Sequence, residues 1–131
     1  MQSKLRVMLW CLCLPAVPGA SVAAVPVQLT GNSAANDTLQ ADIVQNITKF
    51  GAAFDCPAPS KIRASMLNAA MISSSAAYRA PSLNAAYEEW DATFCGKTHR
   101  FFVSFWPDPQ GGSFLSVQYP YPPGAPSAIT R

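Results

Sequence analysis

The clearest hydrophobic pattern in the chain lies between residues 37 and 54. Apolar side chains recur there at spacings of three or four residues, as they do on one face of an α-helix: Leu39, Ile43, Ile47, Phe50 and Phe54. Asp37 or Thr38 can cap the start of this helix, and Gly51 is a residue type that commonly ends one. The pattern predicts one amphipathic helix, whose apolar stripe must be buried against another element.

In the second half of the chain, large apolar side chains recur at every second residue along three segments, which predicts three strands, 87–95, 99–106 and 113–119. The connections between these strands are short: a tight turn at Gly96-Lys97, and the Pro- and Gly-rich segment 107–112. Because short connections join antiparallel neighbours, we expect a meander of three antiparallel strands.

The segment 60–86 is the hardest to interpret. Ile62, Ala64 and Met66 alternate as in a strand, and we expect an early strand followed by a loop. The residues 69–72 are equally compatible with a helix. With this segment included, the sequence predicts an α+β fold of two layers, in which the N-terminal helix packs on a three- to four-stranded antiparallel sheet.

The two flanks of the predicted domain, which spans 37–119, differ from it in composition. Residues 24–36 are small and polar and predict a flexible lead-in. Residues 120–131 contain too many prolines to pair in a sheet, and predict a polyproline-like or disordered tail.

The first 23 residues have the order of features found in a signal peptide. Lys4 and Arg6 precede an apolar run, 7–17, and small residues follow it, so we expect cleavage after Ala23 or Ala24. An uncleaved membrane anchor is the alternative, but prolines interrupt the apolar stretch before it reaches the ~20 residues that a spanning helix needs. The sequence therefore predicts a periplasmic or secreted protein that touches the membrane only through this leader.

Loss of the leader changes the charge. The chain has nine Lys and Arg and seven Asp and Glu, and two of the basic residues, Lys4 and Arg6, lie in the leader. The mature protein is therefore expected to be neutral, and no cluster of basic residues remains in it. This composition argues against a nucleic-acid partner, which requires a basic face.

Two cysteines, Cys56 and Cys95, remain after the leader. In an oxidising compartment such a pair predicts a disulfide. A metal or redox site is the alternative, but the chain has one histidine, which is too few soft ligands for a zinc site. We expect neither a metal nor another cofactor.

Candidate catalytic groups are sparse. His99 is the one histidine and would have to serve any acid–base scheme near neutral pH, so a small exported hydrolase using His99 is one hypothesis. Glu88, Glu89 and Asp91 form the densest acidic group, but adjacent strand residues point to opposite faces. Glu88 and Glu89 therefore cannot act together, and Glu89 and Asp91, which share a face, could at most bind a cation. We expect a solvated face instead, and we predict no catalytic residue.

The aromatic residues give the leading hypothesis. One helix cannot cover both faces of a sheet, and alternation places Phe102, Trp106 and Phe114 together on the face away from the helix. An exposed apolar patch of this kind marks a binding surface. We therefore predict a non-enzymatic exported binding module whose partner is another envelope or extracellular protein, or a carbohydrate. The alternative is that the segment 60–86 folds over this face and buries the three rings.

Overall fold

The computed structural model describes residues 27–128 and shows an α+β fold around one five-stranded sheet. Its strands are β1 (Gln28–Gly31), β2 (Lys61–Leu67), β3 (Ala86–Phe94), β4 (Lys97–Pro107) and β5 (Ser113–Gln118). They lie side by side in chain order, and every neighbouring pair is antiparallel except β1 and β2, which are parallel. The α+β class is confirmed, but the sheet has five strands, not three or four, and it is mixed.

β1 is the strand that the sequence did not predict. It lies within the segment 24–36, for which we expected a flexible lead-in, and its four side chains are all exposed. Backbone pairing with β2 holds it instead, in the register that places Gly31 beside Ala64. Gly31 has φ +87°, and a Cβ at this position would lie 2.0 Å from the Ala64 carbonyl oxygen, so only glycine fits. The predicted signal peptide, 1–23, lies outside the described residues.

The predicted helix is present as α1 (Asp37–Thr48), which continues as a 3₁₀-helix over Lys49–Phe54. Its N-cap is Asn36, one residue before the predicted cap, and the Asn36 Oδ1 accepts a hydrogen bond of 2.9 Å from the Leu39 N–H. The α-helical hydrogen bonding ends before Gly51, which is buried against the Cys56 carbonyl oxygen, 2.2 Å from where a Cβ would lie. Glycine is therefore needed here for close packing.

The first core lies between this helix and one face of the sheet, which we call the helix face. Leu39, Ile43 and Ile47 supply the helix side of it, as the periodicity predicted. The sheet side consists of the apolar residues that alternate along three strands: Ile62, Ala64, Trp90, Ala92, Phe94, Phe101, Val103 and Phe105. Leu115 and Val117 of β5 are partly buried against the same core.

A second core covers the opposite face of the sheet, which we call the far face. Tyr87 and Phe102 are buried there beneath two segments without regular strands or α-helices, 72–85 and 119–128, and Ile72 of the first segment is buried against them. The described part of the predicted tail, 120–131, is thus packed on the sheet, and it makes the fold three layers deep over this region. Within 60–86, the early strand is present as β2, and a 3₁₀-helix, Ala69–Met71, follows it.

The predicted disulfide is confirmed. Cys56 and Cys95 are bonded, with their Cα atoms 5.9 Å apart. Cys95 and Gly96 form the two-residue turn between β3 and β4, and both have positive φ angles, 46° and 83°, as a type I′ hairpin requires. The bond therefore ties the chain that follows α1 to a tight hairpin.

Candidate functional site

One end of the sheet carries an exposed aromatic pair. We call this end of the sheet the hairpin end, after the hairpin that joins β4 to β5. Strands β2 and β4 finish there, and β3 and β5 begin there. Trp106 and Phe114 lie directly opposite each other on the far face, with ring centroids 5.8 Å apart and an angle of 34° between the ring planes. Phe114 is 46% exposed and Trp106 is half-buried. The covering segments of the far face therefore leave this pair accessible to solvent.

Further large apolar side chains are exposed at the same end. Leu83, in the loop that leads into β3, is 93% exposed, and Met71, in the 3₁₀-helix after β2, is 65% exposed. Met66, near the end of β2, is 56% exposed, and it lies opposite Glu88 on the helix face. Four of the six large hydrophobic residues that are exposed among residues 27–128 thus belong to the hairpin end.

The hairpin end has almost no charge. Arg79 is the one charged residue between Ala64 and Tyr87, and none occurs from 109 to 130. The Arg79 Nη1 donates to the Ile72 carbonyl at 2.8 Å, and Asp108 accepts from the Gln110 N–H at 2.9 Å. Both charged groups thus serve local backbone structure, and the other residues of these segments are uncharged.

The three predicted binding residues do not share one environment. Phe102 is fully buried, and its ring contacts Tyr78, Tyr87 and Tyr121 at centroid distances of 5.1, 5.9 and 5.7 Å. It cannot meet a partner, because the segments 72–85 and 119–128 cover it. Trp106 and Phe114 lie beyond this cover and keep the exposure that the alternation predicted.

A groove lies beside the tail on the same side of the molecule. It has a volume of about 680 Å³ and is lined by small, aromatic and proline side chains together with Gln118. The Tyr78 hydroxyl at its edge donates to the Gly124 carbonyl at 3.3 Å. No lining residue is charged, so the groove offers an apolar surface without an acid or a base.

His99 lies at the other end of the sheet, near the disulfide. Its ring stacks on Phe54, with centroids 3.7 Å apart and planes 9° from parallel. Its Nδ1 is 3.1 Å from the Tyr119 hydroxyl, and no carboxylate among residues 27–128 hydrogen-bonds to it. This surrounding gives the imidazole an aromatic packing role, without the oriented acid that general-base catalysis uses.

The expectation of a solvated face was wrong for Glu89, which is buried, and its neighbour Glu88 is buried as well. Glu88 is fully buried on the helix face. Its Oε1 accepts from the Ala34 N–H at 2.6 Å and its Oε2 from the Trp90 Nε1 at 2.7 Å, while the Ser33 hydroxyl lies 2.8 Å from Oε2. The carboxylate therefore fixes the segment before α1 to the sheet.

Glu89 is buried on the far face. Its Oε1 is 3.1 Å from the Arg100 Nε, and its Oε2 accepts from the Ala128 N–H and the Ser127 hydroxyl, each at 3.0 Å. Arg100 also pairs with Asp91 at 3.2 Å. Periodicity could place Glu88 and Glu89 on opposite faces, but the donors that allow their burial come from remote segments that carry no pattern.

The pKa values of two groups in the far-face network are shifted. Burial raises the pKa of Tyr121 above the ordinary value, the negative charge of Glu89 raises it further, and the charge of Arg100 opposes both. Burial lowers the pKa of Arg100, but its hydrogen bond to Asp91 and the charge of Glu89 more than offset this, so the pKa is raised overall. Both groups keep their protons at neutral pH, and the network serves to hold the tail.

The described part of the chain offers no cluster of three or more His, Cys, Asp or Glu that could hold a metal ion. No helix between residues 27 and 128 is long and apolar enough to cross a membrane. No protein-family model, curated protein or solved structure matches the chain. Function must therefore be argued from the chain's own residues, among which the exposed apolar hairpin end is the strongest candidate site.

Proposed function

We propose that this protein is a non-enzymatic exported binding protein that docks on another envelope or extracellular protein through its hairpin end. The observation that carries the proposal is the Trp106–Phe114 pair, which remains accessible while the rest of the aromatic far face is covered. Exposed apolar patches mark interaction surfaces, and aromatic side chains, Trp above all, supply much of the binding energy at protein interfaces.

The surroundings of the pair favour a protein over a carbohydrate. A sugar would stack on the rings, but its hydroxyl groups would need hydrogen-bonding side chains around them. The hairpin end exposes polar side chains such as Asn84 and Gln110, but the most exposed large apolar side chains of its loops are Met71 and Leu83. Methionine and leucine side chains adapt well to an apolar partner surface.

Two observations support export to the periplasm or beyond the cell. The disulfide between Cys56 and Cys95 is of the kind that persists in oxidising compartments. Residues 1–23 have the charge, apolar run and small residues of a cleaved leader. An exported protein of this kind meets other envelope or extracellular proteins, which is the partner class that we propose.

The test is site-specific photo-crosslinking in the native compartment. A photoreactive phenylalanine analogue in place of Phe114 should form a covalent adduct with a protein other than a second copy of this chain, which mass spectrometry would identify. The matched control places the same analogue at Leu29, an exposed apolar residue of β1 away from the hairpin end. Equal adducts from both positions, or none from position 114, would contradict the proposal.

A substitution pair separates binding from folding. Trp106→Ser combined with Phe114→Ser should abolish the adduct formed from an analogue at Leu83, because the apolar anchor of the interface is lost. The variant should unfold at a lower temperature, because each ring is partly buried, but it should keep a cooperative unfolding transition, because neither ring belongs to the two cores. A collapse of stability in this variant would show that the pair serves the core, and the proposal would then lose its main observation.

A further inference from the structure

β5 forms an edge of the sheet that has an open outer side. Among residues 27–128 its one neighbouring strand is β4. Its sequence, Ser-Phe-Leu-Ser-Val-Gln, contains neither a charged residue nor a proline. Edge strands are normally protected by charges, prolines or bulges, because their free backbone groups can pair with another strand. β5 is therefore protected neither by a charge nor by a proline.

The register shows which backbone groups point outward. Pro107 has no N–H, so its pair with Ser113 cannot be of the hydrogen-bonded kind. The Asp108 N–H bonds instead to the Gly112 carbonyl at 3.1 Å, as expected beside a non-hydrogen-bonded pair. Because the two kinds of pair alternate in an antiparallel ladder, Leu115 and Val117 are also non-hydrogen-bonded to β4. The N–H and C=O groups of Ser113, Leu115 and Val117 therefore face the open edge.

We propose that two copies of this protein associate through β5 and form one continuous antiparallel sheet. In the register centred on Leu115, this residue lies opposite Leu115 of the second copy, and Ser113 lies opposite Val117. Ser113, Leu115 and Val117, whose backbone groups face the open edge, are then each opposite one of the same three residues of the second copy. Each of these pairs can exchange two backbone hydrogen bonds. The strand is thus complementary to itself.

The side chains also fit a second copy. The two-fold axis of such a pair is perpendicular to the sheet, so both far faces lie on the same side. Phe114 then lies opposite Ser116 of the second copy and diagonal to the second copy's Phe114, at the ~7–8 Å spacing that aromatic side chains can bridge. The strand has no charge, so the pairing brings no like charges together.

This inference goes beyond the proposed function, because it concerns the edge of the sheet and a second copy of the chain. The two surfaces share Phe114, whereas Leu115 belongs to the edge alone: its side chain packs on the helix face and its N–H points outward. Variants at Leu115 therefore test the association and leave the Trp106–Phe114 pair in place.

The first test is sedimentation velocity of the exported protein over a concentration series, with Leu115→Pro as the variant. Proline removes the N–H that both copies donate at the axis, but it leaves the hydrogen bonds to β4 intact. Losing two hydrogen bonds should raise the dissociation constant of the dimer by at least about tenfold. A monomer at all concentrations, or an unchanged dimer of a folded Leu115→Pro variant, would overturn the proposal.

The matched control lies on the opposite edge. The N–H groups of Gln28 and Asn32 bond to the carbonyls of Ser60 and Ala64, so the alternation of a parallel strand points the Leu29 N–H away from β2. Leu29→Pro therefore removes an outward N–H from β1 and should leave the dissociation constant unchanged. If Leu29→Pro weakens the dimer and Leu115→Pro does not, β1 is the interface and the assignment to β5 is wrong.

Hydrogen exchange of the unmodified protein provides a test that needs no variant. The amides of Leu115 and Val117 should exchange at least about tenfold more slowly well above the dissociation constant than well below it. The amides of Phe114 and Ser116, which bond to β4, should be protected at both concentrations. Exchange at Leu115 and Val117 that is fast and independent of concentration would contradict the pairing.

Discussion

The carboxylates of Glu88 and Glu89 lie on opposite faces of β3, and each is buried among donors from a different end of the described chain. Glu88 accepts from the segment that precedes α1, through Ser33 and Ala34. Glu89 accepts from the C-terminal segment, through Ser127 and Ala128. Two adjacent residues of a central strand thus hold both terminal segments against the sheet.

Replacement of Glu88 by glutamine should destabilise the protein by about 1–3 kcal/mol. Each oxygen of the carboxylate faces an N–H that can only donate, from Ala34 on one side and Trp90 on the other. A glutamine side chain must turn its NH₂ group toward one of these donors, which leaves that buried N–H unsatisfied. Urea denaturation of the variant and the unmodified protein would measure the difference.

Asp42→Asn is the matched control for Glu88→Gln. Asp42 is exposed on α1, so the same exchange of carboxylate for amide should change the free energy of unfolding by no more than about 0.5 kcal/mol. If Glu88→Gln is as mild as the control, the buried carboxylate does not hold the segment before α1 in the way that we describe.

Alkaline pH should destabilise the fold through Tyr121, whose pKa is raised by burial and by the charge of Glu89. Below about pH 10 the phenol is protonated in both the folded and the unfolded chain, and it contributes no slope. Above this pH the unfolded chain loses the proton while the folded chain keeps it. The folded state then binds more protons, so the free energy of unfolding falls as pH rises.

Thermal unfolding between pH 8 and pH 11 would measure this dependence, with Tyr121→Phe as the comparison. The variant loses the hydrogen bond that the Tyr121 hydroxyl donates to the Pro126 carbonyl, so it should be less stable at pH 8. Its stability should then decline less steeply above about pH 10. Parallel pH curves for the two proteins would show that Tyr121 ionises as easily in the folded state as in the unfolded state.

The parts of the fold that the sequence could predict are those in which buried apolar side chains recur at a regular spacing. The stripe of Leu39, Ile43 and Ile47 required a buried helix face, and the alternation along β3, β4 and β5 required strands. β1 has no such alternation, because backbone pairing holds it and its side chains are all exposed. A pattern of side chains could not reveal a strand that buries none.

The candidate site was predictable in part for the same reason. Alternation placed Phe102, Trp106 and Phe114 on one face, which is correct. It could not predict where the cover of that face stops, because the Ser-, Ala- and Pro-rich segments 72–85 and 119–128 have no periodicity. The boundary of this cover separates a core residue, Phe102, from an exposed pair.

That boundary predicts a large contrast between two phenylalanine substitutions. Phe102→Ala should lower the free energy of unfolding by about 3–5 kcal/mol, as expected for a fully buried ring. Phe114→Ala should cost about 1 kcal/mol or less, because nearly half of that ring is already exposed. Denaturant unfolding of both variants would measure the contrast, and equal losses would contradict the boundary that we place between residues 102 and 114.

Removal of the disulfide should lower the free energy of unfolding by about 4 kcal/mol, since the bond closes a loop of 39 residues. The loop contains β2, the covering segment 72–85 and β3, so an open chain must order three of the fold's parts without the constraint. Cys56→Ser combined with Cys95→Ser, compared with the unmodified protein in urea, would measure the loss. The unmodified protein under reducing conditions should match the double variant, because both lack the same constraint. A stable double variant with an unchanged unfolding midpoint would mean that the two cores hold this loop in place without the covalent bond.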